Sequence, residues 1–206
     1  MNQAWKQPKP AGNYGIYEKD PFRDAGHDAM AKTALPEYLI ISASLRSASL
    51  SRVMAETLRA AYAKLGVSHQ LIDLREYVLP LCDGEAAYEH PHVTTLSALI
   101  EGARVVIVAT PIYNYDANAT AKNLVELTGS AWENKTVGFL CAAGGASSYM
   151  SIMGMANSLM LDFRCLIIPR FVYAKGEDFS SKKEPTTDLA ARIVALAEAS
   201  VKIRNG

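Results

Sequence analysis

The sequence predicts an α/β domain in which a doubly wound, five-stranded parallel sheet carries helices on both faces. Two observations support this. From residue 38 onward, short apolar runs rich in β-branched residues alternate with longer segments whose apolar positions recur at helical spacing, five of each kind. The most apolar run, RVVIVA at 104–109, shows no polar alternation. Both of its faces must therefore be covered, as in a parallel sheet flanked by helices.

Taken in order, YLIISAS from Tyr38 reads as the first strand. Residues 52–65 read as a helix with Val53, Leu58, Ala61, Tyr62 and Leu65 near one face, and Gly66 stands where a helix C-terminal glycine belongs. HQLIDL at 69–74 is the second strand, and after an irregular stretch a helix covers about 93–101. The run at 104–109 is the third strand and the expected centre of the sheet. A helix at 119–127, a strand TVGFLC at 136–141, a helix at 150–161, a strand CLII at 165–168 and a last helix at 187–203 complete the series. Right-handed crossovers then give the common five-stranded order 2-1-3-4-5. Ligands in such a sheet bind beyond the carboxyl ends of the strands, near the switch between strands 1 and 3, so the informative loops follow Ser42, Ala109 and Cys141.

The 206 residues suit one domain plus an appendage, and a hydrophobic content of 50% is ample for a single core. Residues 1–35 are polar, carry Pro8, Pro10 and Pro21, and hold no sustained period. They read as an N-terminal arm, disordered or, given Trp5, Tyr14, Tyr17 and Phe22, docked on a neighbouring subunit, with residues 36–206 as the domain. Lys+Arg and Asp+Glu balance at 21 each, which gives no reason to expect nucleic acid or an anionic membrane as partner. The three cysteines have no ligand or disulfide spacing, and Cys141 and Cys165 sit in apolar runs. With no apolar stretch near the roughly 20 residues of a membrane span, the expectation is a cytoplasmic protein. The four histidines lack a spacing that would converge on a metal, and the GxSxG elbow of an α/β hydrolase is missing.

The loop SASLRSASLSR at 42–52 runs from the first strand into the first helix, so its backbone N–H groups and the positive helix end face one small volume suited to an anion. One serine there would be an ordinary N-cap. Five serines with Arg46 and Arg52 in eleven residues point instead to a phosphate, with Ser44, Ser47, Ser49 and Ser51 as hydroxyl donors and Arg46 as the planar cation. Neither GxGxxG nor GxxxxGK[ST] is present, so the loop alone leaves the owner of the phosphate open.

The second loop, TPIYNYDANATAKNLVE at 110–126, resembles the Pro-Glu-Tyr-Asn loop and Leu-Lys-Asn helix of the NADPH-dependent FMN reductase family, which includes quinone, azo-dye and chromate reductases. Pro111, Tyr113, Asn114, Lys122 and Asn123 carry the resemblance. Ser44, Leu45, Arg46 and Ser49 match the family's phosphate loop, with Ala43 in place of a glycine, and CAAGGASS at 141–148 resembles its Gly-Gly turn. Ile112 stands where the family often has Glu, Asp116 where it often has Ser and Asn118 where it often has Pro, which leaves acceptor choice open.

The resemblance implies a flavodoxin-like domain that binds FMN non-covalently. The phosphate would lie on Ser44, Arg46, Ser49 and Ser51, and the ring between Pro111, Ile112, Tyr113 and Asn114 on one side and Gly144 and Gly145 on the other. It implies NADPH or NADH as donor, a small-molecule electron acceptor and a homodimer or homotetramer; because nicotinamide and flavin exchange hydride directly over one ring face, ping-pong transfer with no side chain acting as acid or base is expected. Two rival readings have their own tests. A flavodoxin-type electron carrier would usually be strongly acidic, unlike this balanced chain, and would not be reduced directly by NADPH. A sugar-phosphate-binding module would need only the serine loop and would be colourless.

Overall fold

The computed structural model describes residues 35–203. The expected arm, all but Leu35, lies outside the described residues. The elements are β1 (Tyr38–Ser42), α1 (Leu50–Leu65), β2 (His69–Asp73), α2 (Pro91–Gly102), β3 (Val105–Tyr113), β4 (Asp116–Ala117), α3 (Ala119–Thr128), β5 (Thr136–Ala142), α4 (Met153–Phe163), β6 (Leu166–Ile167), β7 (Val172–Ala174) and α5 (Thr187–Lys202).

The parallel backbone of the sheet runs β2-β1-β3-β5-β6, with β7 also pairing parallel to β5. This is the flavodoxin-like order expected, with β3 at the centre. The predicted fifth strand at 165–168 is shortened to Leu166–Ile167, and a further strand not anticipated, Val172–Ala174, follows it. Leu166 and Ile167 pair with Thr136 and Val137, the chain leaves the ladder through Pro169, and Val172 to Ala174 return to pair with Leu140 to Ala142. Proline has no N–H to give a ladder, which explains a break at that point. The antiparallel β4 was not anticipated.

Side chains alternate along the strands, and each set enters a separate core. Leu39, Ile41, Val106, Val108, Val137 and Phe139 face the side covered by α2, α3 and α4. Tyr38, Ile40, Val105, Ile107 and Leu140 face the side covered by α1 and α5. The continuous apolar character of β1, β3 and β5 thus serves both layers. β2 is an edge strand and is buried only at its last two residues.

The buried stripe of α1 is Ser51, Met54, Ala55, Leu58, Ala61 and Tyr62, so the predicted face was rotated slightly. Val53 is half-buried and Leu65 exposed. Gly66 ends the helix as expected, at φ 69°, with its N–H returned to Ala63. The Tyr62 hydroxyl meets Ser200 Oγ at 2.8 Å, joining α1 to α5 within the core. Gly138 makes room for the side chain of its β3 neighbour, because a Cβ there would stand 2.7 Å from Ile107 Cδ1.

Candidate functional site

β1, β3 and β5 are neighbours in register, with Ser42 opposite Ala109 and Ala109 opposite Leu140. The segments that leave their carboxyl ends therefore emerge side by side on one edge of the sheet.

The first of these segments turns from β1 into α1. Ser49 is the N-cap, in extended conformation, and its hydroxyl accepts the N–H of Arg52 at 3.3 Å. Ser49 Oγ also lies 2.9 Å from Ser51 Oγ, both buried, and Ser44 Oγ accepts the N–H of Arg46 at 3.3 Å. The other N–H groups of the first helical turn have no intrahelical acceptor. Arg46 is exposed, and no described carboxylate pairs with it. Arg52, counted with the loop from sequence, is turned elsewhere. It pairs with the nearly buried carboxylate of Asp73, which Arg75 also holds at 2.6 Å. Among the described residues Ser42 Oγ is buried without a hydrogen-bond partner, immediately before this loop. A groove of about 600 Å³ continues outward from Ser47 and Ser49 along the Val53 and Thr57 flank of α1 toward Lys183.

The second segment is more regular than its sequence implied. Thr110, Pro111, Ile112 and Tyr113 extend β3 itself, and only Asn114 and Tyr115 form the loop. Tyr113 pairs with Asp116 and Ile112 with Ala117, closing a two-residue β-hairpin. Asn114 and Tyr115 have φ of 51° and 67°, the two positive values that a type I′ turn requires. Asn tolerates this conformation, whereas Tyr in it is strained. The hairpin holds Tyr113 and Tyr115 out from the edge, 52% and 59% exposed, while Ile112 is buried against the core.

Asn118 joins the first two segments, a role the sequence reading missed. Its amide nitrogen donates to Ala43 O at 2.8 Å, and its amide oxygen accepts the Thr110 hydroxyl at 3.0 Å. The same oxygen caps α3 by accepting the N–H of Ala121 at 3.3 Å. An Asn directly before a helical period is an N-cap signal that could have found it. Asn123 on the same helix clamps a different loop, accepting the Cys82 N–H at 2.9 Å and donating to Pro80 O at 2.9 Å.

The third segment leaves β5 through Ala143. Gly144 and Gly145 are exposed, and a Cβ at either would meet nothing within 4 Å. Neither has a positive φ, so no internal contact or backbone requirement demands glycine. Their small size keeps space open above the turn. Tyr173 of β7 supports it from below: its hydroxyl donates to Gly145 O at 2.5 Å and lies 2.6 Å from Ser148 Oγ. The Tyr173 ring packs edge-on against Tyr149, with centroids 5.5 Å apart. Ser151 Oγ, farther along the segment, is buried with no partner among the described residues.

The donor-rich helix start, the protruding tyrosines and the open glycine turn suit a ligand with an anionic end and a flat ring. The orphaned Ser42 hydroxyl beside the helix start and the free space over Gly144 and Gly145 are compatible with FMN in particular.

A family model described as NADPH-dependent FMN reductase matches residues 36–179. An NAD(P)H-dependent FAD/FMN reductase of Geobacillus thermodenitrificans is 29% identical over 134 residues, covering 64% of this chain and 72% of its own. An NADH-dependent FMN reductase of Pseudomonas putida is 27% identical over 158 residues, covering 75% and 85% respectively. Among solved structures, an NADH:FMN oxidoreductase in its apo form aligns with a TM-score of 0.70 at 16% identity, over 83% of this chain and 91% of that one. At that identity the likeness concerns the fold.

Proposed function

The chain belongs to the NADPH-dependent FMN reductase family, and from that membership we propose that it is an NAD(P)H oxidoreductase that keeps FMN bound along the carboxyl edge of its sheet while two electrons pass to a small acceptor. The acceptor class is a free flavin, a quinone, an azo compound or an oxidised metal ion. The observation that carries this reading is the convergence of the serine-lined start of α1, the Tyr113 to Asp116 hairpin and the open Gly144 to Gly145 turn on adjacent strand ends.

FMN, when bound, supplies the chemistry by taking hydride from the nicotinamide and giving two electrons onward. The chain's own part is to bind and to orient. Ser44, Ser49 and Ser51 with the N–H groups at the head of α1 would receive the phosphate dianion, and Arg46 would add a charge-assisted hydrogen bond. The ring would lie between Pro111, Ile112, Tyr113 and Asn114 on one side and Gly144 and Gly145 on the other. The two-residue hairpin fixes where the backbone of Tyr113 stands beside the ring, and such positioning would help to align the reacting partners. No His, Cys or Glu lies in the loops at 42–52, 110–118 or 141–148, apart from Cys141 inside β5, so none is placed to act as acid or base.

One ring face must serve the donor first and the acceptor second, so the steady state should be ping-pong. With NADPH and a quinone, parallel double-reciprocal lines are expected. Intersecting lines together with a ternary complex isolated at equilibrium would overturn the shared face. A purified protein that neither turns yellow with FMN nor is reduced by NADPH would overturn the reading as a whole. The reading carries a homodimer or homotetramer, which sedimentation equilibrium would test.

A further inference from the structure

A glycine turn beside the ring can offer it backbone amide donors, but the sequence does not say which amide points where. The hydrogen bonds of Tyr173 decide this. The peptide between Gly145 and Ala146 is trans, since the described residues contain no cis peptide bond. In a trans peptide the C=O and the N–H of the unit point in opposite directions. The Gly145 carbonyl is directed onto the Tyr173 hydroxyl, a nearly buried group on β7. The N–H of Ala146 is thereby turned away from the body of the protein and toward the open side of the turn. Ala146 is exposed, and its N–H has no partner among the described residues.

Tyr173 is itself well fixed. Its phenol has one proton, and with that proton given to Gly145 O the Ser148 hydroxyl must act as donor to Tyr173 Oη. Its backbone lies in β7 against β5, and its carbonyl receives Arg192 Nη1 at 2.7 Å, with Arg192 anchored on Asp178 at 2.6 Å. A hydroxyl that donates to a peptide carbonyl also polarises the N–H of the same unit, because bonds in a chain strengthen one another. The Ser148, Tyr173 and Gly145 chain therefore both aims and strengthens a single donor.

We propose that Tyr173 is a positioning residue whose hydroxyl sets the Gly145–Ala146 peptide so that the Ala146 N–H serves the pyrimidine edge of the flavin, where it stabilises the negative charge that reduction places there. This rests on the FMN reading above and adds to it a named donor and the residue that orients it. Gly144 and Gly145 then act by leaving room over the turn, and Ala146 supplies the hydrogen bond. A donor directed at charge that develops only on reduction favours the reduced form over the oxidised form.

The experiment compares Tyr173→Phe with the unaltered full-length chain, using FMN itself as probe. It reads three quantities: oxidised FMN affinity by fluorescence titration, the midpoint potential of the bound flavin, and the melting temperature of the apoprotein. Oxidised FMN should bind within about threefold of the unaltered chain. The reduced form should lose about tenfold more, seen as a fall in potential of about 30 mV for a two-electron couple. Ala146→Pro, which deletes the N–H while leaving the phenol, should lower the potential by a similar amount, and the double variant by no more than either alone. A Tyr173→Phe protein whose potential is unmoved, whether or not its melting temperature falls, would overturn the proposal and leave the hydroxyl as a fold contact. Failure of the unaltered chain to bind FMN would instead remove the FMN reading beneath it.

Discussion

Single side chains at the sheet edge differ in what they are free to do. Arg46 is exposed with no described carboxylate beside it, whereas Arg52, six residues on, is committed to Asp73. Arg46→Ala should accordingly weaken FMN binding by about 1.5–3 kcal/mol, the scale of a hydrogen bond to a charged group, with the fold intact. A titration of the apoprotein that gives unchanged affinity would take Arg46 out of the phosphate site. Asn118 presents the opposite case, since its amide is buried and hydrogen-bonded to Ala43, Thr110 and Ala121. Asn118→Ala removes a helix cap, worth about 1 kcal/mol, and strands buried polar groups at about 1–3 kcal/mol. A loss of about 2–4 kcal/mol in urea unfolding is expected. Asn118→Asp keeps the cap but loses the donor to Ala43, so it should fall between Asn118→Ala and the unaltered chain.

Among the elements, the β3–β4 hairpin is where the local sequence and the local backbone disagree. A type I′ turn favours Asn-Gly, and this chain places Tyr115 at the second position with φ 67°. An L-residue in that conformation costs about 1–2 kcal/mol, and Tyr115 is too exposed to recover much of it by burial. Tyr115→Gly should hold or raise stability to urea, while Tyr115→Val, β-branched at the same φ, should lower it by about 1 kcal/mol or more. If Val proves as stable as Tyr, the turn does not have this geometry in solution.

At the scale of the whole molecule, burial of thiols ties stability to pH. Burial pushes Cys141 from 9.0 up to about 12, and burial likewise pushes Cys165 up to about 11. A thiol whose pKa is raised by folding ionises first in the unfolded chain. Its contribution is intact below the unfolded value near 9 and is lost as pH climbs toward the folded value. Between about pH 9 and pH 11 each thiol should remove up to about 1.4 kcal/mol per pH unit, with Cys141 continuing to about pH 12. Urea midpoints measured across this range should fall for the natural chain and fall less steeply for Cys141→Ala. Equal slopes would show that Cys141 is not protected. Near neutral pH a thiol reagent should modify Cys82 well before the two buried cysteines.

The sequence by itself determined the α/β class, the order of the sheet and the three segments that meet at its carboxyl edge. These are properties of hydrophobic period and chain order, and they follow from covering both faces of β1, β3 and β5. The helix end at Gly66 was legible for the same local reason. Only the tertiary structure decided where long-range partners lie. It turned Arg52 toward Asp73, made a short hairpin of what read as a long loop, linked Ala43 to Asn118 across 75 positions and set the Tyr173 hydroxyl under Gly145, 28 positions away. Hydrogen bonds between residues so distant in the chain leave no period or spacing in the sequence, because they are fixed by the packing of whole strands and not by local backbone preference.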